Sequence, residues 1–84
     1  MKSRVFSVGT TAVEIVATEP KNRTALIHVA GNNIVYLGGS DVTTANGLTT
    51  EKNAAPITVE IPAGETLWAI AGVSESLRVL VQGD

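Results

Sequence analysis

The sequence predicts an all-β fold, a small antiparallel β-sandwich or barrel-like domain of about seven short strands. Three observations lead there. Val, Thr and Ile are abundant, and their branched side chains pack better on a pleated sheet than around a helix. Gly and Asn recur between the apolar runs, where chain reversals need them. Apolar residues alternate with polar ones at a period of two, the spacing of one strand face. With 84 residues and no cysteine, the chain is read as one domain, residues 1–84, with a modest core and no disulfide to reinforce it.

The alternation places strands at residues 4–8, 13–17, 24–30, 34–37, 57–61, 67–71 and 77–81. Residues 1–4 carry Lys2 and Arg4 ahead of the first strand and are expected to form a flexible arm. Ser7 and Gly9 follow Val5 and Phe6 too soon for an apolar signal core, so an intracellular product is expected. Glu19-Pro20 turns the chain away from helix after the second strand. Gly31-Asn32-Asn33 offers residues that tolerate positive φ and predicts a hairpin.

Residues 34–37 are apolar on both faces. Residues 38–55 lose the alternation and read as one long loop with room for a short edge strand. Ile57, Val59 and Ile61 alternate with Thr58 and Glu60, which suits a sheet with one wet side. Pro62-Ala63-Gly64-Glu65 predicts a turn joining two antiparallel strands, with the proline at its first corner. Leu67, Trp68, Ala69 and Ile70 are again apolar on both faces, with Trp68 and Ile70 sharing a side. Stacked sheets use some of this surface and subunit contacts the rest.

A net charge of −2 offers no basic footprint for a phosphate backbone, and no apolar run is long enough to span a membrane. Neither nucleic acid nor membrane is an expected partner. Catalytic groups do not assemble. His28 is the one histidine, read as partly buried and bonded to a neighbour. Glu14 and Glu60 are expected to point outward, and Glu19, Glu51, Glu65 and Glu75 to lie in turns as solubility charges. Asp41 is expected to make an Asx turn with the backbone two residues on, with a calcium site as the less favoured reading. Gly38-Gly39 lacks the lysine and helix of a phosphate site. Asn22-Arg23-Thr24 matches a glycosylation acceptor by chance. Arg78 faces away from Leu77 and Val79 and is assigned a surface or intersubunit ion pair. No cofactor or metal and no enzymatic activity are expected.

The run Val35-Tyr36-Leu37-Gly38-Gly39-Ser40-Asp41-Val42-Thr43-Thr44-Ala45-Asn46-Gly47 resembles small virion proteins of tailed bacteriophages. In these a "VYLGGSDVT" strand is followed by an "NG" loop, an "AGE" turn, an "LWAIA" strand and a final "RVL" strand. Those pieces stand here as Ala63-Gly64-Glu65, residues 67–71 and Arg78-Val79-Leu80. Nearly the whole chain takes part. The chain departs from the family by a longer segment at residues 49–56, which adds Glu51, Lys52 and Asn53.

The resemblance implies a capsid decoration or cement protein that binds the major capsid protein on the outer head surface and stabilises the shell by bridging subunits. It implies location in the virion, after synthesis in the bacterial cytoplasm, and a homo-oligomer, with a trimer favoured by threefold lattice positions. A head-to-tail, tail or fibre-anchoring component, or a carbohydrate-binding β module with Trp68 and Tyr36 stacking on sugar, are the alternatives. The expected contact residues are Arg4, Tyr36, Asp41, Leu48 and Trp68.

Overall fold

The computed structural model describes residues 1–83 and contains no helix among them. Eight strands form two antiparallel sheets: β1 (Lys2–Val8), β2 (Val13–Val16), β3 (Arg23–Val29), β4 (Val35–Gly38), β5 (Leu48–Thr50), β6 (Ile57–Ile61), β7 (Leu67–Ala71) and β8 (Glu75–Gln82). Sheet A has the order β1-β8-β3-β6 and sheet B the order β2-β7-β4-β5. The fold is the expected β-sandwich, with β5 as an eighth strand on the edge of sheet B. Residues 2–4 are not a loose arm, because Lys2, Ser3 and Arg4 pair with Val81, Leu80 and Val79 of β8.

Burial follows the alternation. Ala25, Ile27 and Val29 of β3, Leu77, Val79 and Val81 of β8, Val35 and Leu37 of β4, and Leu67, Ala69 and Ala71 of β7 fill the space between the sheets. A register shift between Glu14 and Val16 lets Ile15 and Val16, neighbours in sequence, both turn inward. On β6 the expected wet side is present, with Thr58 and Glu60 exposed and Ile61 buried.

Two turns differ from expectation for one reason: the strands they connect lie in opposite sheets. Gly31-Asn32-Asn33 leads from β3 in sheet A to β4 in sheet B, and residues 62–65 lead from β6 to β7. Each connection spans the sandwich, about 10 Å, instead of closing a hairpin. Only β4 and β5 are paired neighbours in sequence. The turn at 62–65 closes from the Glu65 N–H to the Pro62 carbonyl at 3.1 Å, so Ala63, not the proline, takes the first corner. Gly64 takes the second at φ 85°, a conformation open to glycine.

Gly31 has no positive φ. It is needed because a Cβ there would stand 1.9 Å from Oε1 of Glu75. Glu75 is no solubility charge in a turn: it opens β8, is buried, and accepts the Ser76 N–H at 2.8 Å and the Asn33 N–H at 2.7 Å. These two bonds, Ser76 foremost, hold its pKa below the ordinary 4.5 against the opposing effect of burial. A carboxyl whose pKa is lower folded than unfolded stabilises the fold above the unfolded value and loses that contribution as pH falls through the folded one. Glu75→Gln is therefore expected to lower stability at pH 7 and to flatten the decline below about pH 4.5, read by denaturant midpoints across pH. An unchanged acid limb would remove Glu75 from that role.

Candidate interaction face

The outer face of sheet B carries large side chains that the core leaves out. On β7, Leu67, Ala69 and Ala71 are buried inward while Trp68 and Ile70 stand half-buried on the outside. On β4, Tyr36 lies outside between Val35 and Leu37. The register sets Ile70 opposite Tyr36 and Trp68 opposite Gly38, with Glu14 on the other side of Trp68. The indole N–H donates to the Thr66 hydroxyl at 3.0 Å. That bond fixes the ring and satisfies its one donor, so what the ring offers a partner is apolar surface.

Glycine at position 38 leaves a gap that the following loop fills. A Cβ there would come within 2.9 Å of Val42 Cγ2, and Val42 is buried although it lies in a loop. The loop is held by Asn46, whose Oδ1 accepts the Thr43 N–H at 2.7 Å, and by the Gly47 N–H donating to the Thr43 carbonyl at 3.0 Å. The expected Asx turn at Asp41 is therefore not formed: the Thr43 N–H goes to Asn46. Gly47 packs against Tyr36, where a Cβ would sit 2.5 Å from the tyrosine Cβ. Beyond Tyr36 the apolar surface continues to Ile34 and Val73, which line a hollow of about 410 Å³ with Asn32, Asn33 and Gly72.

Charge is segregated between the sheets. The strands of sheet B carry one carboxylate, Glu14, and no lysine or arginine, whereas Lys2, Arg4, Arg23 and Arg78 all lie on sheet A strands. Among the described residues no three His, Asp or Glu side chains gather as metal ligands would. The arrangement presents an aromatic, sparsely charged surface, which suits docking against another surface.

The structure brings Tyr36 and Trp68 together on this face. Asp41 is exposed in the β4–β5 loop, and Leu48, 60% exposed, begins edge strand β5 opposite Leu37. Arg4 stands apart on β1, lining a flank cleft of about 360 Å³ with Lys2, Phe6, Glu14, Glu19 and Arg23. Sequence reasoning missed Val42, whose loop has no alternation to signal burial, and Ile34 and Val73, which flank turns. Glu19 is also more than a solubility charge, with Oε2 at 3.8 Å from the Arg23 guanidinium. His28 is half-buried as expected, but its Nδ1 is buried and bonded to nothing among the described residues. Asn22 spends its Oδ1 on the Ala63 N–H at 2.8 Å.

Comparison with known proteins finds no matching protein family, no matching curated protein and no matching solved structure.

Proposed function

We propose that this protein is a bacteriophage capsid decoration protein, which binds the major capsid protein on the outer head surface and stabilises the shell by bridging its subunits. The observation that carries the reading is the outer face of sheet B, where Trp68, Ile70 and Tyr36 form a half-buried apolar surface with Glu14 as its one strand carboxylate. Trp and Tyr near the centre of an interface are among the side chains that dominate its binding energy. Many copies on one lattice multiply a weak contact through effective concentration, so the role needs no catalytic group. The sequence resemblance to small phage virion proteins supports the same reading, and a homotrimer fits the threefold positions of a capsid lattice.

The test is co-sedimentation of the purified protein with undecorated capsids, together with the heat resistance of the shells. The protein is expected to pellet with the shells and raise their disruption temperature. Trp68→Ala is expected to reduce shell binding at least tenfold, the loss of about 1.4 kcal/mol or more that a central aromatic supplies, with the fold intact by circular dichroism. Binding that survives Trp68→Ala and Tyr36→Ala together would remove the face from the interface, and no co-sedimentation of the parent protein would overturn the capsid role. Trp68 also keeps the carbohydrate-binding reading in view, since a half-exposed indole stacks on sugars as well. As the chain's one tryptophan, its fluorescence reports directly: quenching by an oligosaccharide panel would favour that reading.

A further inference from the structure

The opposite side of the sandwich carries a second surface, which the capsid reading does not use. Two rows of outward side chains cross sheet A through β1, β8 and β3. The first is Ser3, Leu80 and Leu26, and the second is Val5, Arg78 and His28, each triplet aligned by strand register. Between and around them runs a trough of about 420 Å³, with Pro56 among the residues that line it. Val5 is 63% exposed and Leu26 39% exposed. The first row is thus largely apolar, and the trough's arginines are Arg78 in the second row and Arg4 on the wall.

No aspartate or glutamate among the described residues lines the trough. Among the described residues, Glu60 shares that face, paired with Thr24 on edge strand β6. The Arg78 guanidinium makes no ion pair or hydrogen bond among the described residues. His28, opposite Arg78 in the register, likewise has a ring without a hydrogen-bond partner. A guanidinium and an imidazole side by side, both unbonded and flanked by apolar side chains, form a site whose complement is a carboxylate attached to something apolar.

We propose that this trough docks an extended segment of another protein, one that sets a leucine-like side chain over Leu26 and Leu80 and a carboxylate against Arg78 and His28. Size agrees: three strands spaced about 4.8 Å apart give a track that three or four extended residues at about 3.3 Å each would cover. A second copy applied symmetrically is disfavoured, since it would bring Arg78 and His28 against their own counterparts. A nucleic-acid backbone would leave Leu26, Leu80 and Val5 without a partner.

The experiment is an amide-resonance titration of the full chain with three synthetic peptides of equal length: one alternating leucine with aspartate, one alternating leucine with lysine, and one alternating serine with aspartate. The leucine–aspartate peptide is expected to shift residues 3–5, 26–28 and 78–80, and to bind at least tenfold tighter than the other two. Arg78→Glu, an exposed position whose fold is checked by the same spectrum, is expected to invert the preference toward the lysine peptide, and Arg78→Gln to weaken aspartate binding without inverting it. Equal binding of all three peptides, or of none, would overturn the proposal. So would shifts confined to residues 36, 68 and 70. Shifts in the trough that appear on concentrating the protein alone would hand the site to a second copy. None of these outcomes bears on co-sedimentation with capsids, so the two readings fail separately.

Discussion

Replacing Arg23 with alanine is expected to destabilise the domain by about 3 kcal/mol, a large share of what so small a fold possesses. The residue is 3% exposed although it is charged. Its guanidinium donates to the Ala17 carbonyl and, at 3.2 Å, to the Glu65 carbonyl, and it stands near the Glu19 carboxylate. Ala17 follows β2 and Glu65 precedes β7, both strands of sheet B, whereas Arg23 begins β3 of sheet A. One side chain therefore ties the two layers together at this end. The Asn22–Ala63 bond and the Gly64 N–H on the Glu19 carbonyl at 2.8 Å close the same end. Removing Arg23 severs two charge-assisted bonds, each worth about 1.5–3 kcal/mol, and water replaces the lost donor at Ala17 and Glu65, which are exposed residues. Arg23→Met should recover packing but not the bonds, and so fall between wild type and alanine in urea midpoint. A loss for Arg23→Ala no larger than about 0.5 kcal/mol, typical of a surface site, would show that the tie carries no weight.

The second large effect separates the core from the outer faces. Ile27 lies fully buried on β3, one of the two central strands of sheet A. Ile27→Ala is expected to cost about 3–4 kcal/mol, from lost transfer energy and the cavity left behind. Ile70→Ala removes the same atoms from the half-buried outer face of sheet B and is expected to cost about 1 kcal/mol, because water can reach the space it vacates. Paired denaturation curves give the contrast. Equal losses would mean that the outer face of sheet B is packed like an interior and is not a surface held ready for a partner.

Much of the fold was legible because a period of two reports which side of a strand is wet. Ile57, Val59 and Ile61 show this, and the strand they predict matches β6. The same logic exposed the candidate face: residues 34–37 and 67–71 carry more apolar side chains than one buried side can absorb, and Tyr36 and Trp68 are the surplus. What alternation does not encode is which sheet a strand joins. It therefore predicted hairpins at Gly31-Asn32-Asn33 and at residues 62–65, where the chain in fact changes layer. β5 was too short to show a pattern. Arg23 and Glu75 looked like ordinary polar residues because their partners, Glu65 and Asn33, are 42 residues away in sequence, beyond the reach of any local rule.

The alternation of layers also bears on how the chain folds. β1 pairs with β8 alone, and β3 takes β8 and β6 as its neighbours. Apart from β4 and β5, no strand finds a hydrogen-bonding partner in the next one along. The usual first step for a β protein, a local hairpin closing in microseconds, is thus available at one place only. Every other pairing first closes a long loop of disordered chain, which puts folding toward the millisecond-to-second end of the small-domain range. Until β8 is in place, the apolar strands Arg23–Val29 and Leu67–Ala71 lack a finished sandwich to shelter them. The interval before β8 docks is when aggregation competes with folding, and substitutions in β8 should lower the yield of soluble protein more than their cost to the finished structure suggests.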